Sequence, residues 1–298
     1  MAYKERKGQF NKNNYLTRTK RNHFWVGGEE GQLQINKLTV GVAGLGGMGS
    51  NVVNALARLG VGEIRIADPD IIESSNINRQ IIAFKNTVGQ TKAQAMWDQL
   101  INIGDDINIK MWDEGITKEN ASDFVNGCDI IVDEIDVFPT EVHVHLHRAA
   151  NKLNIPIYSG YIVGMAVHLY KFHGSDFTIE DFFEKEENWK SPTSEFLIEK
   201  YGTDLSKYMS GKNFEDFKKE LDVGDVPIFG SICLAGHSLV STKVILDALI
   251  MKGIPNRLTN FMNQLEVMPN YYKLDLVDNT FEKLCVHDST SSLAVKTG

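Results

Sequence analysis

Cysteine is scarce in this chain of 298 residues: Cys128, Cys233 and Cys285 stand far apart and form no CxxC pair. So sparse and odd a set gives no sign of a disulfide framework or a thiolate zinc site, and it fits a reducing compartment. Long apolar runs are missing too. None approaches about eighteen residues, and the polar N-terminus has no apolar signal core, so no membrane partner is expected and a cytoplasmic location is. Basic charge is outnumbered, 31 Lys and Arg against 39 Asp and Glu, and the net charge of −8 argues against binding nucleic acid. There are no internal repeats and no low-complexity tracts. The hydrophobic share of 42% and charged share of 23% are those of a globular chain.

The charge is unevenly spread. Lys4, Arg6, Lys7, Lys12, Arg18, Lys20 and Arg21 make a basic start, and Asp176 to Asp225 is acidic. Residues 1–37 read as a flexible basic segment followed by a polar helix over Glu29–Lys37. An apolar strand at Leu38–Ala43, a glycine cluster, a helix at Ser50–Leu59 and an alternating strand at Glu63–Ala67 then form one strand–turn–helix–strand unit. Helices follow at Thr91–Ile103, Ala121–Asn126 and Thr140–Leu153. Strands are expected at Ile107–Met111, Asp129–Asp133, Pro156–Ser159 and Val163–Phe172. Residues 174–225 break the rhythm, with weak helical stretches at Phe177–Glu187 and Asn213–Leu221. A long helix at Ser231–Met251 and strands at Leu265–Met268 and Tyr271–Leu276 close the chain. This alternation implies a single α/β domain over residues 1–298. It is Rossmann-like, with a mainly parallel central sheet, helices on both faces and antiparallel strands toward the C-terminus.

Gly44-Leu-Gly-Gly-Met-Gly49 follows a strand and opens a helix, the setting in which free main-chain N–H groups bind phosphate. Asp68, some twenty residues on, is placed to accept hydrogen bonds from ribose hydroxyls. Together they indicate a nucleotide without separating NAD from ATP. The segment Ser75-Asn-Ile-Asn-Arg-Gln80 separates them. It brings Asn76, Arg79 and Gln80 beside the nucleotide pocket, and Lys92 follows at a helix start. Arg and Lys arriving together beside phosphates suit phosphoryl or adenylyl transfer and have no use in hydride transfer.

Gly44 to Lys92 resembles the ThiF/MoeB family of ubiquitin-activating-enzyme-like adenylyltransferases. GxGGxG, the Leu56 and Gly60-Val-Gly62 element, DxD, SNxxRQ and GxxK all stand at matching spacing. Looser likeness extends to Glu30-Gly31-Gln32, Asp129–Asp136 and Ile228–Ser231, and so over most of the chain apart from residues 174–225. The resemblance implies that Gly44, Gly46, Gly47 and Gly49 line ATP phosphates and that Asp68 holds ribose. It further implies that Asn76, Arg79 and Lys92 hold the triphosphate and that Asp136 binds Mg²⁺. It also implies a homodimer in which Arg21, or second Arg18, reaches the partner's phosphates. The reaction implied is ATP-dependent activation of a carboxylate as an acyl-adenylate. The carboxylate belongs to a peptide, a ubiquitin-like protein or a small molecule.

The chain departs from the family pattern in three places. The zinc-binding CxxC pairs are replaced by His173-Gly-Ser175 and by residues 287–291, so no zinc site is expected. Residues 174–225 hold no cysteine, and Cys233, on an apolar helix, reads as buried packing. Val137 stands where Asn is usual. His143, His145 and His147 are spaced by two on a helix and are expected to fan apart. The alternatives are a catalytically silent nucleotide-binding module and an NAD(P)-dependent oxidoreductase. The acidic crossover of residues 174–225 is expected to pack over the substrate side.

Overall fold

The computed structural model describes residues 3–136, 140–174, 176–184, 196, 198, 200, 201, 205–222, 226–254 and 263–286. Val137 and the second of the two sites lacking a CxxC pair, residues 287–291, lie outside them, as does much of the acidic crossover.

Five short apolar segments make the parallel core of the sheet: β2 (Thr39–Ala43), β3 (Glu63–Ala67), β4 (Asn108–Trp112), β5 (Ile130–Asp133) and β6 (Ile157–Val163). Of these, β2 and β5 are nearly continuous in apolar residues because helices cover both faces, while β3 and β4 alternate through Arg65 and Lys110. On one face Val40, Val42, Ile64, Ile66, Ile130 and Val132 pack with α3 (Gly49–Leu59), α4 (Lys92–Ile103) and α9 (Gly230–Met251). On the other, Ile131 and Ile157 pack with α5 (Ala121–Val125), α6 (Thr140–Lys152) and α7 (Ile179–Phe183). Between α7 and α9 along the chain, α8 (Lys212–Asp222) buries only Leu221 among its described side chains. By length and composition alone α9 could cross a membrane. Here it lies against α3, β6 and β7 (Ala166–Phe172).

With β1 (Lys4–Arg6), β8 (Asn270–Asp275) and β9 (Thr280–Cys285), the nine-stranded sheet runs β1-β4-β3-β2-β5-β6-β7-β8-β9. From β2 the chain steps outward through β3 and β4 and then returns to place β5 on the other side of β2. The carboxyl ends of β2 and β5 therefore flank a topological switch point, where open α/β sheets hold their ligands. The strands β7, β8 (Asn270–Asp275) and β9 (Thr280–Cys285) pair antiparallel, as expected toward the C-terminus.

Four local expectations are corrected. The basic start is not flexible: β1 (Lys4–Arg6) pairs antiparallel with β4, and α1 (Lys12–Thr19) precedes α2 (Gly28–Ile35). Arg18 on α1 forks onto Asp106 and donates to the Ala57 carbonyl at 2.9 Å. Leu265–Met268 is no strand, because Asp247 on α9 takes the Leu265 N–H at 2.8 Å where a neighbouring strand would. Val163–Phe172 is two elements, Val163 ending β6 and Ala166 starting β7. Finally, β9 follows β8 unannounced.

Candidate active site

The glycine turn closes on the end of β5. Gly44 adopts a φ of +88°, and a Cβ there would lie 2.2 Å from the Glu134 carbonyl oxygen. At Gly49 a Cβ would meet the Gly44 carbonyl oxygen at 1.9 Å. Both glycines thus allow main chains to approach where side chains cannot. Gly46 faces open space, so the turn offers bare backbone to a ligand. Asp68 holds the turn from below: Oδ2 accepts from the Leu45 N–H at 2.6 Å and Oδ1 from the Asp70 N–H at 2.8 Å. Burial pushes this carboxyl up, against the pull of Lys92.

The basic groups are positioned by main-chain pairing. The Lys92 N–H donates to Asp70 O at 2.9 Å, and a bridge joins Ile71 to Thr91. Thr91 caps α4, its hydroxyl accepting from Gln94 N–H, and Lys92 becomes the first helical residue. Its ammonium sits 2.7 Å from Asp70 Oδ2. A single turn of helix over Ser74–Asn76 puts Asn76 Oδ1 on the Glu73 N–H, and Asn51 holds the Arg79 carbonyl at 3.0 Å. Arg79 is half-buried, and among the described residues its guanidinium donates to Ser75 O and Asn78 Oδ1.

At the end of β5 the histidine expectation is corrected. His143 and His147 are four apart, so they share a helix face and converge, while His145 turns to Glu141. Both meet Asp133 Oδ2, at 2.7 and 2.9 Å, in full burial. The second nitrogen of His143 lies 3.0 Å from the Asp136 carbonyl oxygen. Two acceptors on one ring require both nitrogens to carry protons. Burial opposes that charge, but Asp133 prevails and raises His143; His147 is lowered by burial and stays neutral. Burial alone would raise Asp133, yet the two imidazoles hold it well below the carboxylate range. The buried pair braces the segment Glu134–Asp136 from behind. Glu134, which sequence reasoning missed, is 9% exposed, and its Oε1 is shielded from water with no well-formed hydrogen bond among the described residues. Burial, then the Asp133 charge, pushes its carboxyl well up.

These parts meet in a cleft of about 620 Å³ at the switch point. Of the expected residues it brings together Gly46, Gly47, Asn76, Arg79, Gln80, Lys92 and Asp136. Gly44, Gly49 and Asp68 support the wall without lining it, and Arg21 is exposed elsewhere on the surface. Glu134, Gly160, Tyr161 and Cys233 also line it. Cys233 is fully buried, and burial pushes its thiol up to about 11, which disfavours the reactive thiolate. Val226 and Ile228, just past the acidic crossover, also line the cleft. Among the described residues no cluster of three or more His, Cys, Asp or Glu could hold a metal.

The fold resembles that of E. coli MccB solved with ATP, at a TM-score of 0.64 and 19% identity over 90% of this chain and 70% of that one. It also resembles PaaA, at 0.62 and 16% over 93% and 76%. A tRNA threonylcarbamoyladenosine dehydratase of Haemophilus influenzae is 39% identical over 115 residues, 38% of this chain and 44% of that protein. The SAMP-activating enzyme E1 of Haloferax volcanii is 32% identical over 152 residues, 51% and 53%. The chain spans about half the length of these curated relatives. The ThiF family pattern matches residues 19–293, and the chain belongs to the ThiF family.

Proposed function

We propose that this chain is an ATP-dependent adenylyltransferase that joins a carboxylate to AMP. The observation that carries this reading is the one cleft in which the bare turn at Gly46 and Gly47 meets Arg79, Lys92 and Asp136. A carboxylate oxygen would attack the α-phosphorus. The bond from that phosphorus to the bridging oxygen would break, and its electron pair would leave with pyrophosphate. Arg79 and Lys92 would offset the charge that builds on the phosphate oxygens, and the turn would fix the phosphates for in-line attack. Magnesium is held by one or two carboxylates together with substrate phosphates and water. Three exposed acids line the cleft, Asp70, Glu73 and Asp136; of these Asp136 stands at the end of β5 and fits that need without a protein cage. Bound there, the ion would neutralise phosphate charge.

The substrate side favours a peptide or protein terminus. The SAMP-activating relative and the MccB structures with MccA bear names of that kind. The dehydratase relative is named for tRNA, but a net charge of −8 suits an RNA partner poorly. The partner proposed for the chain itself is a second copy, since Arg21 is exposed and off its own cleft. Two measurements test the reading. Calorimetry should show Mg·ATP binding with little affinity for NAD, and ATP–pyrophosphate exchange should appear with candidate peptide acids. Tighter binding of NAD than of ATP would sink it.

A further inference from the structure

The order of strands lays the cleft out as a line. Asp70 and Lys92 stand at the end of β3, the glycine turn at β2, Glu134 and Asp136 after β5, and Gly160 on β6. If the turn holds phosphates and the β3 end holds the nucleoside, the acyl group lies over β5 and β6. Glu134 is the buried acid there. Three glycines make its place: a Cβ at Gly44 would strike its main chain, one at Gly49 would come 3.1 Å from its Cβ, and one at Gly160 would come 2.9 Å from its Oε1. Among the described residues that oxygen makes no well-formed hydrogen bond, the Gly160 N–H acting only weakly on the carboxyl, and leaving a buried acceptor so poorly paired is costly.

We propose that Glu134 recognises the acyl half of the substrate, its carboxyl oxygen accepting the N–H of the amide next to the reacting carboxylate of a peptide carboxy terminus. The inference rests on the adenylation reading. Neither the carboxylate nor the α-phosphate has a proton to give to an acceptor. The nearest donor in a peptidyl substrate is the amide N–H of its last residue, a feature that simple carboxylic acids lack. The carboxyl can turn to meet it, because the terminal torsion of glutamate is broad.

Non-hydrolysable acyl-adenylate mimics test this without knowledge of the natural substrate. N-acetylglycyl-sulfamoyl adenosine carries the amide; its 4-oxopentanoyl counterpart replaces only N–H by CH₂. Calorimetry on the wild-type chain should give about tenfold tighter binding of the first, as one hydrogen bond provides. Glu134→Gln keeps an acceptor oxygen and should keep that ratio. Glu134→Leu should bring it to one with ATP affinity unaltered, melting curves confirming that the variant is folded. Equal binding of the two mimics by wild type, or an equal loss of both in Glu134→Leu, overturns the proposal. Tighter binding of the N-carbamoylglycyl mimic than of the N-acetylglycyl one overturns the peptide assignment. If neither mimic binds although ATP does, this proposal fails while nucleotide binding stands. Failure of ATP to bind removes the adenylation reading itself.

Discussion

The two sides of the switch point are built differently. From β2 to the start of α4 the cleft wall is one continuous stretch of chain, Gly44 to Lys92. Main-chain groups take part in its key contacts: the Lys92 N–H on Asp70 O, the Leu45 N–H on the Asp68 carboxylate, and the bare turn at Gly46. Across the crevice the wall is made of side chains brought from far apart. Asp133 is clamped by His143 and His147 from α6, and Glu134 sits in space left by Gly160. Phosphate geometry is shared by every substrate of such a reaction, so backbone can serve it. The acyl group differs between substrates, and side chains are what can be exchanged to read it.

The sharpest way to break this contrast is to remove charge from the phosphate side. Arg79→Ala and Lys92→Ala should each lower ATP–pyrophosphate exchange about 10²-fold or more, as loss of a preorganised charge-stabilising group does. Asp136→Ala should lose a similar amount if it holds the ion. Unchanged exchange in that variant would leave the ion held by ATP alone and make the β5 side purely one of recognition.

Next in size is a comparison within the turn. Gly44→Ala meets both a left-handed backbone and the Glu134 carbonyl oxygen, and should cost about 2–4 kcal/mol of stability. Gly46→Ala points into open space and should leave the melting temperature nearly unaltered while weakening ATP. Equal melting of the two variants would mean that the turn is not locked against β5.

What could be read in advance follows the same divide. Gly44 to Lys92 was legible because each local signal sits within reach of the next and the fold only has to bring a strand end to a helix start. The clamp at Asp133 was missed because alternating histidines at 143, 145 and 147 suggest divergence, when the pair that counts is four apart on α6. Glu134 gave one faint signal, an acid ending the apolar strand Ile130–Asp133. Its role depends on Gly160, on another strand. The edge strands β1 and β9 were invisible for a related reason: three to six residues acquire strand character only from the neighbour they pair with.

The third prediction asks whether the two sides belong to one chain or two. Arg18 is spent on Asp106, whereas Arg21 is exposed and distant from its own cleft lining. In a two-fold dimer a partner's Arg21 would complete each site. Mixing Arg21→Ala with Lys92→Ala chains should then recover about a quarter of wild-type exchange, since half the dimers are mixed and each has one intact site. Absence of recovery, or a monomer at micromolar concentration, would remove the arginine from the site.

The smallest expected effect concerns the Glu134 proton, and its sign can be worked out. Burial first, and then Asp133, raise its folded-state value well above the 4.5 of an ordinary glutamate. A group raised on folding contributes its full stability below its unfolded value and loses it as pH rises toward the folded value. Between pH 5 and pH 8 the native chain should therefore lose stability at this position, while Glu134→Gln, neutral throughout, should not. The variant should melt close to wild type at pH 5 and on the order of 2 °C or more above it at pH 8. His143 is raised as well and His147 lowered, but both are present in the two proteins, so their contributions cancel in the difference. Melting curves that stay parallel from pH 5 to pH 8 would show that Glu134 ionises normally.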